Sequence, residues 1–259
     1  MKCHAFRLIR YLGTAVCVEA LAIAAWAAAP ADLDRLQARL KDKGRPMTWV
    51  LTGDSITLGA RHLRTARSYP ELLSERVRYE MKRRRDLFVN SGVDGESIAG
   101  LLADFDWRVR RFAPDVVSVM IGMNDSVGGP RGRAEFERRL RLFVERVRSC
   151  DATVILHTTN PIDVARVTNR DDLPSYNRIV MKVAASEHVI LVDHWTHWQS
   201  MCPELPLLRG WLDDPFHPNA RGHREFAVQM MKALGVFEPG SAIIQIEDHV
   251  LSGGGKLTQ

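Results

Sequence analysis

Cysteine is scarce in this chain: four of 259 residues, two of which, Cys3 and Cys17, fall within the first 27. That excludes a small domain stapled by disulfides, in which cross-links stand in for a core too small to hold the fold. Charge of one sign is also lacking. Lys and Arg number 36 against 31 Asp and Glu, and of the net charge of +5 two units come from Lys2, Arg7 and Arg10 against Glu19. What remains is too little for an electrostatic footprint on nucleic acid, in spite of a pI near 9.2. Neither a repeat nor an internal linker interrupts the chain. With 46% apolar residues, the disordered and collagen-like classes are excluded too, and the length suits one globular domain with a large core.

What is present begins with a leader. Lys2, His4, Arg7 and Arg10 precede an apolar stretch from Tyr11 to Ala29 that closes on Ala25-Trp26-Ala27 and Ala27-Ala28-Ala29. Basic, then apolar, then small at alternate positions is the order of a secretory signal. Pro30 disfavours a cut after Ala29, so residues 1–27 are predicted to be a signal cleaved after Ala27, and the protein to be exported to the periplasm or the medium. Glu19 opposes a permanent span, because a carboxylate near the bilayer centre costs about 2.5–3.5 kcal/mol. An uncleaved anchor and a misassigned start codon are the alternatives. The remaining cysteines, Cys150 and Cys202, are expected at opposite edges of a sheet and therefore as two buried free thiols.

After a lead-in over residues 28–46, with a short helix within Asp32–Arg45, apolar runs alternate with helical patterns from 47 to 238. The predicted strands are Thr48–Thr52, Leu87–Asn90, Val116–Ile121, Thr153–His157 and Val189–Val192, short and rich in Val, Ile, Leu or Phe, as strands buried on both faces are. The predicted helices are Tyr69–Arg84, Ser97–Arg111, Arg133–Ser149, Ser175–Glu187 and Ala220–Leu234. Strand-helix alternation predicts an α/β fold, a parallel sheet between two helical layers. Residues 239–259 read as a C-terminal tail. The basic run Lys82-Arg83-Arg84-Arg85 and the Arg-rich helix from Arg133 are read as solvated helix faces and ends, where Arg pairs at i,i+4 and complements the helix dipole.

In an open parallel sheet ligands bind beyond the carboxyl ends of the strands. The segments there are Gly53-Asp54-Ser55-Ile56-Thr57, Asn90-Ser91-Gly92-Val93-Asp94-Gly95-Glu96-Ser97 and Ile121-Gly122-Met123-Asn124-Asp125, with Asp214-Pro215-Phe216-His217-Pro218-Asn219 before the last helix. Singly each is a common turn or cap. Together they supply the parts of an acyl-transfer site. Ser55 needs a base to take its proton, His217 can be that base, and Asp214 three residues earlier can hold the imidazole in one tautomer. Donors for a developing oxyanion could come from the backbone N–H of Ser55, the backbone N–H of Gly95 and the side-chain amide of Asn124.

These four blocks resemble those of the SGNH (GDSL-type) hydrolase superfamily of esterases, lipases, thioesterases and carbohydrate O-acetylesterases. The resemblance spans about residues 48–235 and implies a three-layer α/β/α sandwich, flavodoxin-like, with a five-stranded parallel sheet. It puts the nucleophile on Ser55, the block-two glycine on Gly95, the asparagine on Asn124 and the Asp-x-x-His pair on Asp214 and His217. Ile56 departs from the Leu of the eponymous motif. Asp213 is a rival neighbour to Asp214, though only Asp214 has the spacing. The implied enzyme is a serine ester hydrolase that needs neither cofactor nor metal. Its partner is a small-molecule or glycan ester, with no nucleic acid and no stable membrane insertion after signal cleavage.

Two other chemistries suit parts of this pattern. His194, His197, His217 and His223 with Asp213 and Asp214 could form a metal site, but the Asp-x-His and Gly-Asp-x-x-Asp blocks of binuclear phosphoesterases are lacking. A flavodoxin-like binding module would cradle a phosphate after the first strand and would have no use for the Asp-x-x-His pair. Specificity is expected from the loops Leu58–Arg67, Thr159–Leu173 and His194–Leu212. The last carries Trp195, Trp198 and Trp211, whose faces suit sugar rings or, alternatively, pin the loop to the core. The expected substrate is a saccharide carrying a small acyl group, acetyl above all. The alternatives are a lysophospholipase or acyl-thioesterase of the same superfamily and a non-catalytic glycan-binding relative.

Overall fold

A computed structural model describes residues 31–244. The predicted signal, residues 1–27, and the tail beyond 244 lie outside the described residues. Five parallel strands, β1 Thr48–Gly53, β2 Leu87–Asn90, β3 Val116–Met120, β4 Thr153–His157 and β5 Ile190–Val192, form one sheet in the order β2-β1-β3-β4-β5. The helices are α1 Ala31–Lys41, α2 Ser55–Leu58, α3 Tyr69–Glu75, α4 Ile98–Ala103, α5 Phe105–Arg108, α6 Gly129–Arg148, α7 Leu173–Ser186, α8 His194–Met201, α9 Leu205–Arg209 and α10 Ala220–Ala233.

The alternation along each strand builds two cores. Trp49 and Leu51 face the side covered by α1, α3, α8 and α10, where Leu36, Tyr69, Trp198 and Phe226 are buried. Val50, Val117, Val119 and Val154 face the other side, against Leu101 of α4, Phe105 of α5, Phe136 and Phe143 of α6 and Val180 of α7. In α6 the buried residues Phe136, Leu140, Phe143, Val144 and Val147 make one helical stripe. Its opposite face is laced by Arg138 and Arg139 with Glu135, and by Arg141 with Glu137.

Several expectations shift. The predicted helix Tyr69–Arg84 stops being α-helical at Glu75 and continues as a π-helical stretch, Arg76–Glu80. The predicted helix Ser97–Arg111 is broken at Asp104 into α4 and α5, followed by a 3-10 turn at Arg110–Phe112. The loop His194–Leu212 contains α8, capped by the Asp193 carboxylate accepting from Thr196 N, and α9. Arg83 is not solvated but buried, in a two-pronged ion pair with Asp86. Cys150 and Cys202 are both free; Cys202 is buried and Cys150 only half-buried, at the end of α6.

Register sets up the functional edge. Gly53 pairs with Met120, Met120 with His157 and His157 with Val192, so four strands end in line. The chain leaves β1 for β2 on one side and later enters β3 on the other, so the loops after β1 and β3 diverge and open a crevice. Gly53 is required at that point. Its φ is +151°, and a Cβ there would sit 2.2 Å from the Met120 carbonyl oxygen.

Candidate active site

Ser55 opens the single turn α2 directly after β1. Asp54 caps that turn in extended backbone, its carboxylate accepting from Ile56 N at 2.9 Å, and Gly59 closes it in the left-handed conformation. Opposite lies the turn before α10. Asp213 N donates to the His217 carbonyl, Leu212 bridges Pro218, and Asn219 caps α10 while its amide donates to Gly210 O and Leu212 O. This closed turn brings Asp214 and His217 to Ser55. Ser55 Oγ lies 2.8 Å from His217 Nε2, and His217 Nδ1 lies 2.6 Å from Asp214 Oδ2.

Donor and acceptor roles follow from the ends of that line. The Asp214 carboxylate already accepts from Phe216 N and His217 N through Oδ1. Burial alone would raise it, but these N–H donors and the imidazole outweigh burial and hold it below its ordinary value, so it is ionised. An ionised carboxylate only accepts, so His217 Nδ1 carries the proton and Nε2 is left to accept from the Ser55 hydroxyl. Burial lowers the His217 pKa against the pull of Asp214, which keeps Nε2 free at neutral pH. The arrangement can take a proton from a hydroxyl and hold the resulting imidazolium.

Gly95 adopts φ +73°, and its N–H meets no acceptor among the described residues. The Asn124 side chain follows β3. Its Nδ2 donates to Glu96 O at 2.9 Å, and its Oδ1 accepts from Arg170 Nη2 at 3.2 Å. Asp125, the next residue, accepts from Ile98 N at the start of α4 and ties the third block to the second. The buried Arg108 ties the second to the first: its guanidinium donates to Ser91 O and Gly53 O and pairs with Glu96. The break between α4 and α5 sends Arg108 back toward the sheet.

Sequence reasoning passed over three residues here. His62 stacks on His217, with ring centroids 3.7 Å apart, and its Nδ1 lies 3.1 Å from Asp213 Oδ2. Asp213, the rival neighbour, therefore serves His62. Arg170 and Arg108 had no pattern to reveal them, because single Arg residues gain meaning only from what folding brings near them. Asp54 itself is fully buried, and burial pushes its carboxyl up to about 7; Oδ2 has no hydrogen-bond partner.

The six residues of the metal alternative do not come together as one set. His194 is buried against His157 and Phe226, and His197 pairs with Glu225. Among the described residues, the one trio of such side chains with donor atoms within 4.8 Å of one another is His62, Asp214 and His217. The tryptophans also depart from a sugar platform. Trp198 is fully buried, Trp211 is nearly so and packs edge-on against it, and Trp195 is half-buried against the same core.

Residues 51–225 match the model of the GDSL-like lipase/acylhydrolase family. An acetylxylan esterase from Geobacillus stearothermophilus is 28% identical over 162 residues, which cover 57% of this chain and 71% of that protein. In the crystal structure of the acetylxylan esterase of that bacterium, 95% of the chain superposes on 74% of this one, with a TM-score of 0.62 and 23% identity. An α/β hydrolase from the metagenome of Lake Arreo, Spain, superposes over 96% of its length and 74% of this chain, with a TM-score of 0.64 and 25% identity. The chain belongs to the GDSL-like lipase/acylhydrolase family. It is a carboxylic ester hydrolase. No helix among the described residues is long and apolar enough to cross a membrane.

Proposed function

We propose that the protein is an exported serine esterase that removes a small acyl group, acetyl above all, from a saccharide ester. The observation that carries the mechanism is the unbroken line Ser55 Oγ to His217 Nε2, 2.8 Å, and His217 Nδ1 to Asp214 Oδ2, 2.6 Å. Ser55 attacks the ester carbonyl while His217 takes its proton. The tetrahedral oxyanion is held by the N–H groups of Ser55 and Gly95 and the Asn124 amide. Collapse expels the alcohol, protonated by His217, and leaves an acyl-enzyme. Water, deprotonated by the same His217, then releases the acid. Asp214 stabilises the imidazolium throughout and keeps its tautomer.

The saccharide and acetyl preference is supported by the likeness to the acetylxylan esterase; it no longer draws support from Trp198 or Trp211, which belong to the core. A second reading, an acyl chain longer than acetyl, is favoured by exposed Val93, Val127 and Val164, one on each of the loops after β2, β3 and β4. Nitrophenol release from p-nitrophenyl esters, acetate to palmitate, separates the two. Fast acetate cleavage lost in Ser55→Ala, followed by acetate release from acetylated xylan, is the expected result. A maximum at long chains would replace the acetyl reading. Export rests on the leader, with cleavage after Ala27, and is checked by N-terminal sequencing of the secreted chain.

A further inference from the structure

Arg170 belongs to the loop after β4, between two segments that the proposed reaction needs to keep in register. Its Nε donates to Met123 O at 3.2 Å, Nη2 to Asn124 Oδ1 at 3.2 Å and Nη1 to Asn169 Oδ1 at 3.0 Å. The guanidinium carbon sits 4.4 Å from the centroid of the Phe216 ring, and that ring packs 4.2 Å from the ring of His217. One planar cation thus grips the loop after β3 with its edge and the Asp214–His217 turn with its face. Its charge also acts on Asp54 and Asp214, which flank Ser55 and His217.

The consequence for Asn124 is chemical. A side-chain amide can be turned over without change of shape, which would exchange its oxygen and its NH2. A guanidinium only donates, so the atom facing Arg170 must be the oxygen. The Glu96 carbonyl only accepts, so the atom facing it must be the nitrogen. One N–H is spent on Glu96, which leaves the other to donate elsewhere. With Arg170 removed, Oδ1 loses its partner, and only the Glu96 bond opposes rotation of the amide.

We propose that Arg170 is a positioning residue that acts through Asn124, locking its amide with the NH2 toward the oxyanion, while the Phe216 ring holds the guanidinium in place. This rests on Asn124 being an oxyanion donor. Lys could carry the charge but could not serve Met123, Asn124 and Phe216 together, because it lacks the planar fork.

The test is a double-mutant cycle on p-nitrophenyl acetate hydrolysis with Arg170→Met, Asn124→Ala and the pair, and with Arg170→Lys alongside. Thermal unfolding of each variant checks that the molecules assayed are folded. Arg170→Met should lower kcat about 10- to 100-fold with KM nearly unchanged, as misplacement of a group that acts in the transition state does. Asn124→Ala should cost about 10²–10³. The pair should be no slower than Asn124→Ala by more than about threefold, since a residue acting through another loses its effect once the other is gone. Arg170→Lys should recover little. Multiplying losses in the pair, a rise in KM alone, or full recovery by Lys would each overturn the positioning role while leaving Asn124 in place. An unchanged kcat in Asn124→Ala would instead overturn the oxyanion assignment, and this proposal with it.

Discussion

At the amino end of the sheet Arg83 donates to both oxygens of Asp86 and to the carbonyls of Arg39, Leu40, Asp42 and Arg45, while Asp86 also accepts from Met47 N and Trp49 Nε1. At the carboxyl end Asp54 is buried just as deeply, yet one of its oxygens has no partner and burial pushes its carboxyl up to about 7. Both ends bury charge. The Arg83–Asp86 pair is satisfied at both partners, as structure requires, whereas Asp54 beside the nucleophile keeps one oxygen without a partner.

The sharpest way to break this comparison is to exchange activity for stability. Ser55→Ala should remove at least about 10³-fold of the turnover and leave the urea midpoint close to that of the native chain. Residual hydrolysis within tenfold of the wild type would dissolve the contrast. Arg83→Met should do the reverse. Breaking a buried ion pair by removing one partner costs about 3–5 kcal/mol, while the rate per folded molecule stays the same, as active-site titration alongside denaturant unfolding would show.

Acid provides the next test. Because burial lowers the His217 pKa below its ordinary 6.5, kcat/KM should be constant at neutral pH and fall, towards tenfold per pH unit, only below about pH 6.5. A profile flat to about pH 4 removes His217 as the base. The core imidazoles also bear on the acid limb, but they report on stability. Burial pushes His157 and His223 down to about 3, and His194 down as well. The unfolded chain binds protons there that the folded chain refuses, so their contribution is complete above pH 6.5 and is lost as pH falls toward 3, each by at most about 1.4 kcal/mol per pH unit.

The smallest effect tests the two aspartates directly. Asp86→Asn should destabilise at pH 7, because an NH2 would then face Arg83 or another donor. Asp54→Asn should stabilise relative to the native chain, because Asp54 has a folded-state pKa above its unfolded one. Native stability therefore declines against the variant as pH rises from about 4 to 7, and the gap is constant beyond. Changes of about 1–3 kcal/mol are expected. Urea unfolding of both variants at pH 5 and 7 gives the signs, and the same sign for both would end the argument from satisfaction.

Most of the sheet was legible because its strands are short apolar runs bounded by turn residues, and only their ends moved by a residue. The chemistry was legible where it is encoded locally: Ser55 within a Gly-Asp-Ser turn, and Asp214 with His217 at a spacing that a single turn can close. What escaped depends on distant contacts. Trp198 and Trp211 sit in a segment that reads as a loop, and their burial follows from the packing of α8 against Phe226. Arg83 looks like one more basic residue in a run of four until the backbone carbonyls of residues 39–45 surround it. His62 and Arg170 have no neighbours in sequence that announce a role.

The grip of Arg83 on the end of α1 also sets the boundary of any shortened version of this enzyme. The family match starts at Leu51, and a recombinant chain trimmed to begin at Thr48 would look sufficient on that basis. Such a chain would discard the four carbonyls that solvate a buried guanidinium, together with Leu36 and Leu40 from the core. Homology would then report a complete catalytic unit, while electrostatics would have withdrawn the floor on which it stands.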